Sequence, residues 1–111
     1  MDEVRKQKSR APRLRLLVGS ATDLGPGKTQ LLEAIAETGS ISAAARKMNM
    51  SYRRAWNLVD KINRDFEQPL VLTNSGGKGG GGAEVTAFGH EVLRRYRQIE
   101  EKALRSVAAD L

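Results

Sequence analysis

The chain has 111 residues, of which 19 are Lys or Arg and 13 are Asp or Glu, for a formal net charge of +6. That length suits one domain with a modest core, and the basic balance points to an anionic partner: nucleic acid, an acidic protein or a membrane surface. The chain has no cysteine, which removes disulfides, thiolate nucleophiles and cysteine metal sites. A single histidine, His90, without a carboxylate cluster leaves little for a transition metal, so neither a metal nor a cofactor is expected.

Residues 1–12, "MDEVRKQKSRAP", place Arg5, Lys6, Lys8 and Arg10 in a polar tract and read as a disordered basic arm. They lack the apolar stretch of a signal peptide. No later run approaches the roughly 18 apolar residues of a membrane span, so a cytoplasmic protein is expected. Residues 13–111 then form the folded domain.

"RLRLLVG", Arg13 to Gly19, alternates and then turns apolar, which suits a short strand. "SATDLGPG" follows as a loop rich in turn formers. The adjoining "GPGKTQLL" imitates a phosphate-binding loop. That motif needs a glycine five positions before Gly27, and Thr22 stands there, with no later apolar strand ending in Asp to hold magnesium. From Lys28 to Thr38, residues Leu31, Leu32, Ile35 and Ala36 fall on one helical face, and Gly39 is placed to end the helix.

Ser40 can cap a second helix to about Met48, and Ser51 a third to about Phe66, with Asn49 between them as a residue that tolerates a left-handed backbone. Two helices joined this tightly cross at close range and need small facing residues, which Ala44, Ala45 and Ala55 supply, with Met48, Met50 and Leu58 around the crossing. This is helix-turn-helix spacing; a plain helical hairpin has the same alanines but no reason for the charges that follow. On the third helix Trp56, Val59, Ile62 and Phe66 recur at three- and four-residue steps and are expected to face the core. Arg53, Arg54, Asn57, Lys61 and Arg64 are left outside. Arg and Asn can pair bidentately with guanine and adenine edges, and here they stand in the first turns of the helix, where a recognition helix meets bases. Asp60 and Asp65 interrupt the cations, so part of this face is open to pairing within the helix.

Pro69 forbids further helix. "PLVLTN" and "AEVTA" are β-type runs on either side of a loop with six glycines between Ser75 and Ala83, and read as a hairpin. A tip without side chains can lie close to a phosphate backbone through its N–H groups, with Lys78 adding one charge. A helix-turn-helix followed by such a hairpin is a winged helix. Thr86 then caps a final helix running to about Ala108.

"GSIS" (Gly39 to Ser42), "SYRRAW" (Ser51 to Trp56), "GGKGGGGA" (Gly76 to Ala83), Thr86 and Gly89 together closely resemble the DNA-binding domain of the molybdate-responsive ModE regulators. The resemblance covers about residues 13–108. It implies a LysR-like winged helix, a homodimer and a palindromic operator near molybdenum-related genes, with the recognition helix at Tyr52 to Asp65 and the wing at Val71 to Val85. The DNA-binding set carried by position and by the residue reading is Ser51, Tyr52, Arg53, Arg54, Asn57, Lys61, Arg64, Lys78, Gly79 and Gly80. In that family the oxyanion sites lie in separate C-terminal domains, outside the region of resemblance, so this chain alone is not expected to bind molybdate.

In the final helix Phe88, Val92, Tyr96, Ile99, Ala103 and Val107 step by threes and fours down one face, widened by Leu93 and Leu104. About 20 residues of helix span about 30 Å, longer than so small a core can cover. The expectation is that a second copy completes this face and sets two recognition helices one DNA turn apart. His90 has no Ser, Asp or Glu constellation around it, and no enzyme is expected. The expected fold is mainly α with a small β hairpin: a dimeric winged helix acting as a sequence-specific transcription regulator. Its rival is a non-specific DNA organiser or a protein-binding winged helix.

Overall fold

The computed structural model of the chain describes residues 16–18, 22–74 and 81–110. In chain order they form β1 (Leu16–Val18), β2 (Thr22–Leu24), α1 (Pro26–Thr38), α2 (Ile41–Lys47), α3 (Tyr52–Asp65), β3 (Val71–Asn74), β4 (Gly82–Val85) and α4 (Ala87–Asp110). The expected basic arm, with Arg5 to Arg10, and the tip of the glycine loop, with Lys78, Gly79 and Gly80, lie outside the described residues.

The first difference from the sequence reading is at the N-terminal end. The stretch expected to be only a loop contains β2, which pairs antiparallel with β1, Leu16 opposite Leu24 and Val18 opposite Thr22. Three residues, Thr-Asp-Leu, carry too short a pattern to announce a strand; the ladder to β1 makes it one.

α1 begins at Pro26, two residues before the expected start, because the fixed backbone angle of proline suits a first helical position and its missing N–H costs nothing there. Buried Thr29 donates its hydroxyl to the carbonyls of Gly25 (3.1 Å) and Pro26 (3.2 Å), so it brings no unsatisfied polar group into the core. Leu31, Leu32, Ala34 and Ile35 are buried. Ala36 is exposed, contrary to expectation: it lies too far round the helix from the line through Leu31 and Ile35. Gly39 closes the helix in the left-handed region (φ 74°), with its N–H donating to the Ile35 carbonyl at 2.8 Å.

The turn between α2 and α3 is built as its residues require. Ser40 and Ser51 cap the two helices, their hydroxyl oxygens accepting from the N–H groups of Ala43 (3.0 Å) and Arg54 (3.1 Å). Each such cap is worth about 1 kcal/mol. Asn49 takes the left-handed conformation at φ 57°. Ala44, Ala45 and Ala55 are buried at the crossing, with Met48, Met50 and Leu58 half-buried around it. α3 buries Ala55, Val59 and Ile62, and Phe66 meets Phe88 edge to face at 6.1 Å.

Trp56 does not join them. It is 44% exposed, where the periodicity predicted a core residue. At 100° per residue it stands a quarter turn from the line through Ala55, Val59 and Ile62, and Ala55 takes the buried place beside the α2 crossing instead.

The hairpin of β3 and β4 pairs Val71 with Val85 and Asn74 with Gly82. Three ties fix it to the helices. The Asn63 side chain accepts from the N–H groups of Leu70 (2.9 Å) and Val71 (3.1 Å) and donates to the Val71 carbonyl (2.9 Å). The Ala83 N–H donates to the Gly39 carbonyl at 2.9 Å. The Thr86 hydroxyl donates to the Pro69 carbonyl (2.8 Å) and accepts from the Gly89 N–H (2.9 Å), capping α4 while holding its start against β3. Gly89 is there because nothing larger fits: a Cβ would lie 2.5 Å from the Leu70 carbonyl oxygen.

Candidate nucleic-acid interface

α3 presents three rows to its surroundings outside the buried line. The crest, opposite Ala55 and Val59, carries Arg53, Asn57, Asp60 and Arg64. One flank carries Arg54 and Lys61 beside Leu58, in a shallow groove that also takes in Ser51, Arg53 and Asn57. The other flank carries Tyr52 and Trp56 and faces the wing. Together with Ser40, Ile41, Ser42, Thr73, Asn74, Gly81 and Gly82 they line a groove of about 420 Å³.

The cations are not equivalent. Arg64 pairs with Asp60 at 3.1 Å and Lys61 with Asp65 at 3.2 Å, each one helical turn apart. Arg53 and Arg54, in the first turn of α3, have exposed side chains and no ion pair among the described residues. The helix thus keeps its unoccupied guanidinium groups at the capped N-terminal end and ties up those further along. The exposed Arg64–Asp60 pair is weak, about 0.3–0.5 kcal/mol, and a phosphate can displace it. The structure therefore brings Ser51, Tyr52, Arg53, Arg54, Asn57, Lys61 and Arg64 onto one exposed surface. It adds Trp56, whose four-residue spacing from Tyr52 was a signal that the core assignment overrode.

The face of α4 divides in two. Gly89, Leu93 and Tyr96 are buried against the domain, and Phe88 and Val92 are half-buried against its core. Tyr96, expected at an interface between copies, is only 1% exposed: its ring is covered within the chain and has no surface left to offer a second copy. Arg97 marks the end of the packed part. Its Nε donates to Glu33 of α1 and its Nη1 to Glu100, both at 2.7 Å, and these bonds, the first above all, raise its already high pKa. Beyond it Ile99, Leu104 and Val107 are exposed and Ala103 half-buried, an apolar stripe with nothing over it among the described residues. On the outer side Glu91 accepts from Arg94 and Arg95, and these hydrogen bonds lower its pKa to about 2. No group of acidic, histidine or cysteine side chains among the described residues could hold a metal ion. No helix among them is long and apolar enough to cross a membrane.

The chain is 38% identical over 88 residues to the molybdenum transport protein ModE of Azotobacter vinelandii, covering 79% of this chain and 33% of that protein. It is 39% identical over 88 residues to the DNA-binding transcriptional dual regulator ModE of Escherichia coli K12, covering 77% and 34%. The chain thus spans about a third of the length of the curated relatives it matches. Among solved structures it is similar to the DNA-binding domain of CbnR in complex with DNA, with a TM-score of 0.56 and 27% identity over 76% of this chain and 91% of that one. CbnR is itself a LysR family transcriptional regulator. The model of the bacterial regulatory helix-turn-helix proteins of the LysR family matches residues 27–90, the stretch from the start of α1 through the wing to the first turn of α4, and the chain belongs to that family.

Proposed function

We propose that this chain is a sequence-specific DNA-binding transcription regulator that places α3 in the major groove and the β3–β4 wing along the adjacent backbone. The observation that carries the reading is the exposed N-terminal part of α3. Arg53, Arg54 and Asn57 stand exposed in its first turns, held there by the Ser51 cap and by the buried alanines behind. These are side chains that read guanine and adenine edges, at the helix end that reaches them. Membership of a family of bacterial regulatory proteins and the likeness to a DNA-binding domain solved on DNA support it. In the wing, Lys78, Gly79 and Gly80 contribute phosphate contacts that do not depend on sequence.

The working form is a homodimer joined through the C-terminal part of α4, by Ile99, Ala103, Leu104 and Val107, with Phe88 and Val92 at its margin. Two-fold pairing presents two copies of α3 to a palindromic operator. Molybdate is not a ligand of this chain alone: a tetrahedral oxyanion needs several converging donors in a closed pocket, and operator affinity should be equal with and without millimolar molybdate.

Selection of bound duplexes from a random pool, read by sequencing, tests the reading. An enriched palindrome with half-sites about one helical turn apart is expected. Binding without enrichment would favour the rival, a non-specific DNA organiser, and no binding would leave a protein-binding winged helix.

A further inference from the structure

The groove between α3 and the wing is walled on one side by two aromatic rings that a helix does not need to expose. Tyr52, at 55%, and Trp56, at 44%, are one helical turn apart on the same flank of α3. Apart from Ile41, whose side chain is buried in the core, the remaining walls are small or polar: Ser40, Ser42, Thr73, Asn74 and the glycines at 81 and 82. Nothing in the domain's own packing uses the Trp56 ring as a core residue, since Ala55, Val59 and Ile62 already complete the buried line. The rings stand beside the crest of Arg53 and Asn57, which share a surface depression with them. Whatever Arg53 and Asn57 touch, Trp56 therefore lies next to it.

Resting on the DNA-binding reading above, we propose that Trp56, with Tyr52 beside it, is a specificity-determining residue that covers the methyl group of a thymine neighbouring the bases read by Arg53 and Asn57. In the major groove, base edges offer hydrogen-bond donors, acceptors and one apolar group, the C5 methyl of thymine. An exposed indole has no partner among the polar edges except through its single N–H, but it removes a methyl group from water well. The small side chains of the wing and of Ser40 and Ser42 leave the ring room to lie against the base edge. The adjoining depression, which Tyr52 and Trp56 share with Arg53 and Asn57, runs from the rings onto the crest, which fits an occupant arriving with the DNA.

The test uses the full chain and a duplex obtained by the selection described above. Trp56 is the only tryptophan in the sequence, so its fluorescence reports this one ring. On titration with the duplex, followed in parallel by anisotropy of labelled DNA, Trp56 emission should be quenched and shifted to the blue as the ring leaves water. Each thymine is then replaced in turn by deoxyuridine, which deletes only the methyl group. One position in each half-site should lose about fourfold in affinity, the worth of burying one methyl at ~0.8 kcal/mol. In Trp56→Ala that position should become indifferent to the replacement, while Trp56→Phe keeps part of the penalty.

The inference is overturned if the duplex binds with Trp56 emission unchanged, if no deoxyuridine replacement weakens binding, or if the penalty survives in Trp56→Ala. Circular dichroism separates these outcomes from misfolding, and Trp56→Phe, which keeps a smaller aromatic ring in place, shows a reduced penalty should the alanine variant be unstable. If the unmodified chain binds no duplex at all, the DNA-binding reading itself fails, and this inference with it.

Discussion

α3 and α4 are both amphipathic helices capped by a hydroxyl side chain, and both bury three residues at steps of three and four: Ala55, Val59 and Ile62 in one, Gly89, Leu93 and Tyr96 in the other. They differ in what they leave outside. α3 exposes cations, an asparagine and two aromatic rings, groups suited to a polar, charged partner of defined shape. α4 runs on past its last buried residue for about four more turns and exposes Ile99, Leu104 and Val107, groups suited to a copy of themselves. The buried sides fasten both helices to one small core, and under the proposed function the exposed sides serve different partners, DNA for α3 and a second copy for α4.

The largest effect should come from breaking the outer half of α4. Ile99→Asp should give a folded monomer by sedimentation, with operator affinity lower by about a hundredfold or more, because each half-site then binds alone. If α4 served only its own domain, the same change would leave the affinity intact. Gly89→Ala attacks the inner half instead. Its Cβ would meet the Leu70 carbonyl oxygen at 2.5 Å, so the start of β3 must shift. A loss of about 1–3 kcal/mol in stability is expected in chemical denaturation, the usual cost of overpacking, with the dimer retained.

On α3, Arg54→Ala should cost about 1–3 kcal/mol of operator binding and relax preference at one position, with no change in stability. Equal losses on operator and random duplexes would make Arg54 a phosphate contact. The smallest effect belongs to the wing. Lys78→Ala should weaken binding to all duplexes alike and make the salt dependence shallower by about one unit of log–log slope.

Much of this was legible in the residues because local chemistry and global fold agree. Ser40, Asn49 and Ser51 each have one role they perform well, and a tight turn between alanine-rich helices needs all three. Gly39 and Thr86 announce a stop and a start in the same way. The misreadings arose where periodicity alone had to decide. Trp56 sits at a step of three before Val59, so spacing put it in the core; the choice between Trp56 and Ala55 for the buried place depends on how close α2 approaches. Tyr96 lies on a continuous stripe whose inner part faces its own domain and whose outer part does not, and the point of division is set by where the core ends. β2 is too short to carry a pattern. The role of Asn63, whose amide bridges the end of α3 to the first residues of the wing, has no sequence signature because its partners are backbone atoms.

The central claim is that α3 reads sequence rather than merely adhering to phosphates. The ratio of affinities for the selected duplex and a scrambled duplex of equal composition, at one fixed salt concentration, tests it most directly. The account predicts a ratio of at least about a thousand for the unmodified chain. A ratio near one would contradict it, and would leave the crest of α3 as a basic surface without a code.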